Sequence, residues 1–271
     1  MRDNDLLGIH EHRPWPLPDT PWVMRQTWND LLFAHWAVDP EYLRLLVPRE
    51  LDLDTFNGRC WIAVTPFFMT GVTVRGVPPI PGFSESPELN VRTYVTVNGK
   101  PGVYFFSLDI FNVFACAGAR MLYGLPYFYA YMGYARRGGW VEYFSGRVDR
   151  DRSNPHFHGN IAPDPALLRT PAEFRGRYRP TSDAFHAQPG TREYFLTERY
   201  CLYVVERGRV LRAEIHHVPW PLQRAEAQIV ASTVALADSV QLPNASPHLM
   251  FARRLDVLVW FPYRVEVCGE R

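Results

Sequence analysis

Three polar side chains, each two residues from the next, are the first candidates for chemistry in this sequence. They are Glu88, Asn90 and Arg92, in the segment ELNVRTYV. Alternate side chains of a strand point to the same face of a sheet, so these three are predicted to share one face. Arginine can bind a carboxylate through two parallel hydrogen bonds. A carboxyl group beside a second acid gains the raised pKa that general acid–base catalysis uses.

The next strand supplies a second acid. Asn98-Gly99 predicts a hairpin between this segment and VYFFSLDIF (103–111). A loop of two or four residues would place Ser107 and Asp109 on the face of the three polar residues. Tyr104, Phe106 and Leu108 would then lie on the opposite, apolar face of the sheet. A loop of odd length would reverse the two faces.

This polar face has two interpretations, and the residues alone leave both open. One is an ordinary solvated face, which antiparallel sheets commonly have. The other is a barrel interior or cleft, in which Arg92 lies between Glu88 and Asp109 on the floor of a pocket. Such a floor would bind an anionic substrate.

The rest of the chain predicts mostly strands. CWIAVTPFFMTGVTV (60–74) is rich in β-branched and aromatic residues, and 200–218 predicts a hairpin that turns at Arg207-Gly208. Helices are predicted after Asp39, a good N-cap followed by proline, and over 225–238. The remaining expectations are an N-terminal arm over 1–22, an irregular excursion over 150–190 and a last strand over 254–267. Together they predict one α+β domain over 1–271 with a large, mostly antiparallel, closed or strongly curled sheet.

The overall composition excludes several classes of protein. The sequence has 29 Lys and Arg residues against 28 Asp and Glu residues. It therefore lacks the excess of positive charge that is typical of proteins that bind nucleic acid or anionic membranes. No secretory leader or apolar run of membrane-spanning length is visible. The four cysteines are widely spaced, which favours reduced thiols and a cytoplasmic location. Cofactor motifs such as GxGxxG and the Walker loop are missing, so no cofactor is expected. A homo-oligomer is compatible with the sequence.

Histidines offer weaker signals. His156 and His158 have a spacing seen in metal sites, but no third ligand is nearby in the sequence, so a surface loop is favoured and no metal is predicted. His35, His216 and His217 could each line a pocket or make a structural hydrogen bond. Neighbours along a strand face opposite ways, so at most one of His216 and His217 points inward.

One segment resembles a known active site. In GARMLYGLPY (118–127) the spacing of Arg120, Gly124 and Pro126 resembles the active-site segment of acetoacetate decarboxylase. In that family the segment carries a Schiff-base lysine and a second lysine that lowers its pKa. Here Tyr127 and Phe128 occupy the two lysine positions. Upstream, SPE (86–88) resembles the acidic start of the corresponding strand.

The chain as a whole is similar to the YqjF-like family within the acetoacetate decarboxylase superfamily. The shared motifs include FAHW (33–36), SPELNVRTYV (86–95), FLTERY (195–200), HHVPWPL (216–222) and FARRLDVLVW (251–260). The resemblance implies a cone-shaped closed barrel with a flanking antiparallel sheet and a few helices. It implies no established activity.

The resemblance also implies a pocket without its usual amine. A Schiff-base decarboxylase needs a desolvated lysine beside a second cation. The one lysine of the sequence, Lys100, lies in the predicted turn NGKPG, where it is expected to be solvated. The parental mechanism is therefore not expected.

The sequence therefore predicts a small-molecule-binding protein, or a lysine-independent lyase, hydratase or isomerase that acts on an oxo- or hydroxy-acid. Its catalytic residues would be Glu88 as acid and base and Tyr127 as hydrogen-bond donor. The substrate, which could carry a carboxylate, would be bound by Asn90, Arg92, Asp109, Arg120 and Tyr123. The alternatives are a non-catalytic ligand sensor or structural barrel, and a metal-dependent enzyme that uses His156 and His158.

Overall fold

The computed structural model describes residues 2–77, 84–111, 124–148 and 171–267. Within these ranges four short helices accompany thirteen strands. The helices are α1 (Asp3–Leu7), α2 (Pro40–Leu46), α3 (Arg192–Thr197) and α4 (Val234–Ala237). The strands are β1 (Met24–Val38), β2 (Asp52–Leu53), β3 (Cys60–Val74), β4 (Ser86–Val97), β5 (Lys100–Ile110), β6 (Tyr127–Arg137), β7 (Trp140–Arg147), β8 (Glu173–Pro180), β9 (Cys201–Glu206), β10 (Arg209–His216), β11 (Leu222–Ser232), β12 (His248–Val259) and β13 (Tyr263–Val265). None of the helices in the described ranges has the length and hydropathy of a membrane span.

The thirteen strands form one sheet that closes on itself twice. The first ring has nine strands, in the order β1-β3-β4-β5-β6-β7-β8-β11-β12. A second ring leaves the first at β5, passes through β9 and β10, and returns at β12 through two residue pairs. The two rings share β1, β3, β4, β5 and β12. The predicted mostly β, closed-barrel fold is thus confirmed.

Several local predictions are confirmed. β3 has the predicted bounds 60–74. The Asp39 side chain accepts a hydrogen bond from the Glu41 amide at 2.9 Å, as an N-cap of α2 should. β9 and β10 form the predicted hairpin, and Arg207 at its turn has φ of 50°.

Other predictions are wrong. The predicted helix over 225–238 is β11 followed by the four-residue α4, because pairing of residues 225–232 with β8 overrides the helix propensity of the alanine-rich sequence. The single last strand is divided into β12 and β13, with a break at Pro262, which lacks a backbone donor. The irregular excursion contains β8, while residues 149–170 lie outside the described ranges.

β4 separates two buried cores. Leu89 and Val91 belong to a cluster that includes Tyr143, Phe174 and Tyr178 of the first ring. Side chains on the other face of the shared strands join β9 and β10 in a second cluster; they include Phe33, Phe67, Phe105, Leu202 and Ile215. Both faces of β4 are therefore buried. The solvated-face interpretation is wrong, since Glu88, Asn90 and Arg92 are only 4%, 6% and 8% exposed.

Close packing where β9 meets β5 depends on Gly102. A Cβ atom there would lie 2.7 Å from Tyr203 Cε2 and 2.8 Å from the Cys201 carbonyl oxygen. We expect Gly102→Ala to lower the free energy of unfolding by about 1–3 kcal/mol, because both neighbours are buried and must shift. Urea denaturation would measure the loss. Gly133→Ala in β6 is the control, since its Cβ would meet nothing nearer than 3.9 Å; equal losses in the two variants would contradict the prediction.

Candidate functional site

A cavity of about 270 Å³ lies inside the second ring, and β4 lines it with polar side chains. Glu88, Asn90 and Arg92 all contribute to its wall, as does Tyr127 at the start of β6. Most of the remaining wall is apolar. It includes Trp28, Leu31, Phe67, Met69, Val103, Phe105, Leu108, Leu202, Ile215 and Trp220.

The strand register gives the order of residues along the cavity. On β3, Ala63 lies opposite Arg92, Thr65 opposite Asn90 and Phe67 opposite Glu88. Arg92 is four positions along the strand from Glu88, so their Cα atoms lie roughly 13 Å apart. Arg92 therefore marks the inner end of the polar row, and Glu88 lies nearer the middle of the cavity.

The opposite end of the cavity is its mouth. There Met24 pairs with Val74, and Phe261 completes the lining. Val74 is 52% and Phe261 55% exposed, whereas the β4 side chains are buried. The cavity thus runs from an apolar rim to a buried arginine.

Glu88 is placed to hold a proton at neutral pH. Burial raises the pKa of its carboxyl group to about 8, against an ordinary value of 4.5, and Asp109 adds to the increase. Hydrogen bonds from Tyr127 and Asn90 act in the opposite direction but are outweighed. The Tyr127 hydroxyl donates to Glu88 Oε2 at 3.1 Å. A carboxylic acid of this kind can both donate and accept a proton near pH 7.

Arg92 brings a buried positive charge to the cavity. Its guanidinium carbon lies 5.5 Å from the ring centroid of Phe33 and 5.9 Å from that of Tyr94. Among the described residues no carboxylate pairs with it, and its Nε atom has no hydrogen-bond partner. An arginine that is desolvated without a counter-ion favours an anionic ligand.

Three more cavity residues have buried polar atoms without a partner in the described ranges. These atoms are Thr65 Oγ1, Asn90 Oδ1 and Trp220 Nε1. Thr65 and Asn90 are cross-strand neighbours, so their atoms lie on the same part of the wall. Most buried polar groups in proteins are hydrogen-bonded, so such a group of exceptions indicates a ligand site.

The prediction that Asp109 lies on the floor of the pocket is wrong. Asp109 does not line the cavity, because a β-bulge between Val91 and Arg92 shifts the pairing with β5. Arg92 pairs with Phe105 and Val91 with Ser107, so Phe106 is the extra residue on β5. The two-residue loop is as predicted, but beyond the bulge Asp109 joins the face of Leu89 and binds Arg147, while Leu108 moves to the cavity.

Of the other predicted site residues, Arg120 and Tyr123 lie outside the described ranges, as do His156 and His158. Within those ranges no group of side chains has the arrangement of a metal site. Lys100 is half-buried rather than solvated, 4.6 Å from the Trp15 ring and 3.8 Å from Glu214 Oε1. It does not line the cavity.

The three uncertain histidines are all buried and take different places. His35 Nε2 lies 2.6 Å from the Tyr94 hydroxyl, which donates to the Leu196 carbonyl oxygen, so His35 is the donor in the first bond. Burial lowers the pKa of His35 well below its usual value, with a contribution from Arg92. His217 lines the cavity, whereas His216 bonds the Leu6 carbonyl oxygen; burial lowers the pKa of both to about 4. As predicted, only one of the adjacent pair faces the cavity.

Thr65 and Trp220 were missed as site residues. Thr65 lies in a strongly apolar strand, and only its register against Asn90 would have indicated a role. Trp220 is part of HHVPWPL, one of the motifs that carry the family resemblance. Its position in that motif was the available signal.

Solved structures of similar fold support the barrel assignment. The enduracididine biosynthesis enzyme MppR complexed with pyruvate has a TM-score of 0.60 at 10% identity, over 94% of this chain and 95% of that one. An acetoacetate decarboxylase-like enzyme from Sphingomonas wittichii RW1 has a TM-score of 0.59 at 14% identity, over 96% and 98%. An acetoacetate decarboxylase gives 0.58 at 14% identity over the full length of both chains. At these identities the likeness shows the fold.

Sequence comparison is more specific. The uncharacterized protein YqjF of Bacillus subtilis (strain 168) is 46% identical over 244 residues, which cover 90% of this chain and 93% of that one. Residues 25–256 match the model of the DUF2071 family, described as an uncharacterized conserved protein. The chain therefore belongs to the DUF2071 family, with YqjF as a relative and an acetoacetate decarboxylase-like fold.

Proposed function

We propose that the cavity binds a small oxo- or hydroxy-acid and that the protein is an enzyme which acts on it without a Schiff-base lysine. The observation that carries this proposal is a buried arginine with an unpartnered Nε atom on the same strand face as a glutamic acid with a pKa of about 8. Arg92 would bind the carboxylate of the ligand. Glu88 would then act on atoms farther along the molecule.

The chemistry available to Glu88 is proton transfer. In its protonated form it donates to a carbonyl or hydroxyl oxygen, and in its ionised form it accepts a proton from a neighbouring carbon. Tyr127 keeps the carboxyl group oriented through its hydrogen bond. A lyase, hydratase or isomerase uses such steps. MppR, whose structure holds pyruvate, supports an oxo-acid as the class of ligand.

The lysine mechanism has no support. The sequence contains one lysine, and Lys100 lies beside Trp15 and Glu214, away from the cavity lining. An amine outside the cavity cannot form an imine with a ligand inside it.

A cytoplasmic location is proposed from the cysteines, since Cys60 and Cys201 are both buried and free.

Binding of pyruvate and lactate by isothermal titration calorimetry tests the proposed ligand class. Arg92→Gln is expected to weaken binding by about 10- to 100-fold, because a hydrogen bond to a charged group contributes about 1.5–3 kcal/mol. Arg177→Gln is the control, since Arg177 is exposed on β8 and binds Gln228. Equal affinity of the two variants, or no binding by the unaltered protein, would refute the assignment.

Turnover separates the enzyme from a ligand sensor. The enzyme predicts that Glu88→Gln still binds the acid but loses product formation, measured by mass spectrometry across a panel of oxo- and hydroxy-acids. The sensor predicts binding without turnover in the unaltered protein and full affinity in Glu88→Gln.

A further inference from the structure

We propose that the ligand carries an apolar body of several carbons, which occupies the outer half of the cavity while its carboxylate binds Arg92. This inference rests on the proposed function and narrows its substrate class from small acids to amphipathic ones, with an alkyl or aryl body. The carboxylate enters first, and the apolar body stays nearest the mouth.

The polar atoms of the cavity wall that lack a hydrogen-bond partner are unevenly distributed along the cavity. They lie on Thr65, Asn90, Arg92 and Trp220. The strand register places the first three farther from the mouth than Glu88. Trp220 contacts Phe33, the ring that lies beside the guanidinium of Arg92. Polar side chains nearer the mouth are already paired within the protein. Gln26 Oε1 accepts a hydrogen bond from Trp28 Nε1 at 2.8 Å, and the Ser86 hydroxyl donates to the Pro87 carbonyl oxygen at 3.0 Å. The outer half therefore offers a ligand mainly apolar contacts.

The size of the cavity also favours a ligand larger than a three-carbon acid. The volume of about 270 Å³ approaches the lower end, roughly 300 Å³, of pockets that enclose drug-sized ligands. A three-carbon acid held at Arg92 would leave the section between Glu88 and the rim unfilled. That section is lined by Met24, Met69, Val72, Val74 and Phe261. Filling it with apolar groups removes both ligand and protein surface from water.

Aromatic rings form one wall midway along the cavity. Trp28 and Trp220 stack with ring centroids 5.8 Å apart, and Phe67 meets Trp28 edge-on at 5.7 Å. Phe33 meets Trp220 edge-on at 4.9 Å. Interlocked rings of this kind form a fixed surface for an alkyl chain or a planar ring.

A series of straight-chain carboxylates from butyrate to octanoate tests the inference by isothermal titration calorimetry. Affinity is expected to rise about fourfold with each added methylene group, since burial of one such group contributes about 0.8 kcal/mol. Octanol, which lacks the carboxylate, is expected to bind far more weakly than octanoate. Affinity that stays level across the series would overturn the inference, and octanol binding as tightly as octanoate would overturn the orientation with the head at Arg92.

A matched pair of variants locates the apolar body. Val72→Trp fills the outer cavity and is expected to weaken octanoate binding at least tenfold while pyruvate affinity stays within twofold. Val230→Trp makes the same change on an outer face, where Val230 is 79% exposed, and is expected to leave both affinities unchanged. Equal effects of Val72→Trp on both acids would overturn the inference. Failure of the proposed function is a separate result, namely no pyruvate binding by the unaltered protein, or pyruvate binding that does not depend on Arg92.

Discussion

Replacement of Arg147 by methionine is expected to lower the free energy of unfolding by about 3–5 kcal/mol, because it leaves two buried carboxylates without their counter-ion. Arg147 Nε lies 2.5 Å from Asp109 Oδ1, and its Nη1 lies 2.6 Å from Asp238 Oδ1. Ser145 adds a hydrogen bond to Asp109 at 2.9 Å. All of these side chains are almost fully buried.

This buried ion cluster joins three parts of the chain: Asp109 on β5, Arg147 on β7 and Asp238 after α4. Burial alone would lower the pKa of the Arg147 guanidinium. Together the negative charges of Asp109 and Asp238 have the larger, opposite effect, so the pKa is raised. Denaturation by guanidinium chloride or urea measures the loss. Arg177→Met, on the exposed side of β8, should change stability by less than about 1 kcal/mol; a loss as large as that of Arg147→Met would contradict the assigned role.

Replacement of Glu88 by glutamine is expected to remove a pH-dependent penalty on folding. The unfolded carboxyl group has an ordinary pKa of 4.5 and the folded one a pKa of about 8. Between these values the native state holds a proton that the unfolded state has released, so stability falls as pH rises through the window. Above about pH 8 no further loss from this group is expected. The glutamine variant has no such proton.

The difference in stability between the variant and the unaltered protein should therefore grow with pH. Between pH 5 and pH 9 we expect it to increase by roughly 3–5 kcal/mol in favour of Glu88→Gln. Urea denaturation at several pH values, without added ligand, measures it. Glu226→Gln is the control, since Glu226 pairs with Arg179 on the surface. Parallel stability curves for the unaltered protein and Glu88→Gln would show that burial does not raise the pKa.

Local patterns predicted the row of polar residues on β4 and the position of its hairpin, since strand alternation and the Asn98-Gly99 turn act over a few residues. They could not predict the face of Asp109. One extra residue, Phe106, reverses the orientation of the side chains that follow it in β5, and no local signal marks it.

The remaining differences arise from distant contacts. The alanine-rich stretch over 225–238 favours a helix on its own, but its residues 225–232 pair with β8, which lies far away in the sequence. The unpartnered atoms of Thr65 and Trp220 likewise depend on burial by strands that are remote from them. The family motifs predicted the barrel because members of a family share a fold, including its contacts between distant strands. The spacing of residues along the chain does not reveal such contacts.

The strands shared by the two rings affect how the cavity responds to a ligand. β1, β3, β4 and β5 are hydrogen-bonded on both sides, so the wall that carries Glu88 and Arg92 has little freedom to lose when a ligand arrives. A site ordered in advance avoids much of the entropy loss that accompanies binding. Selectivity then depends on fit to a fixed shape.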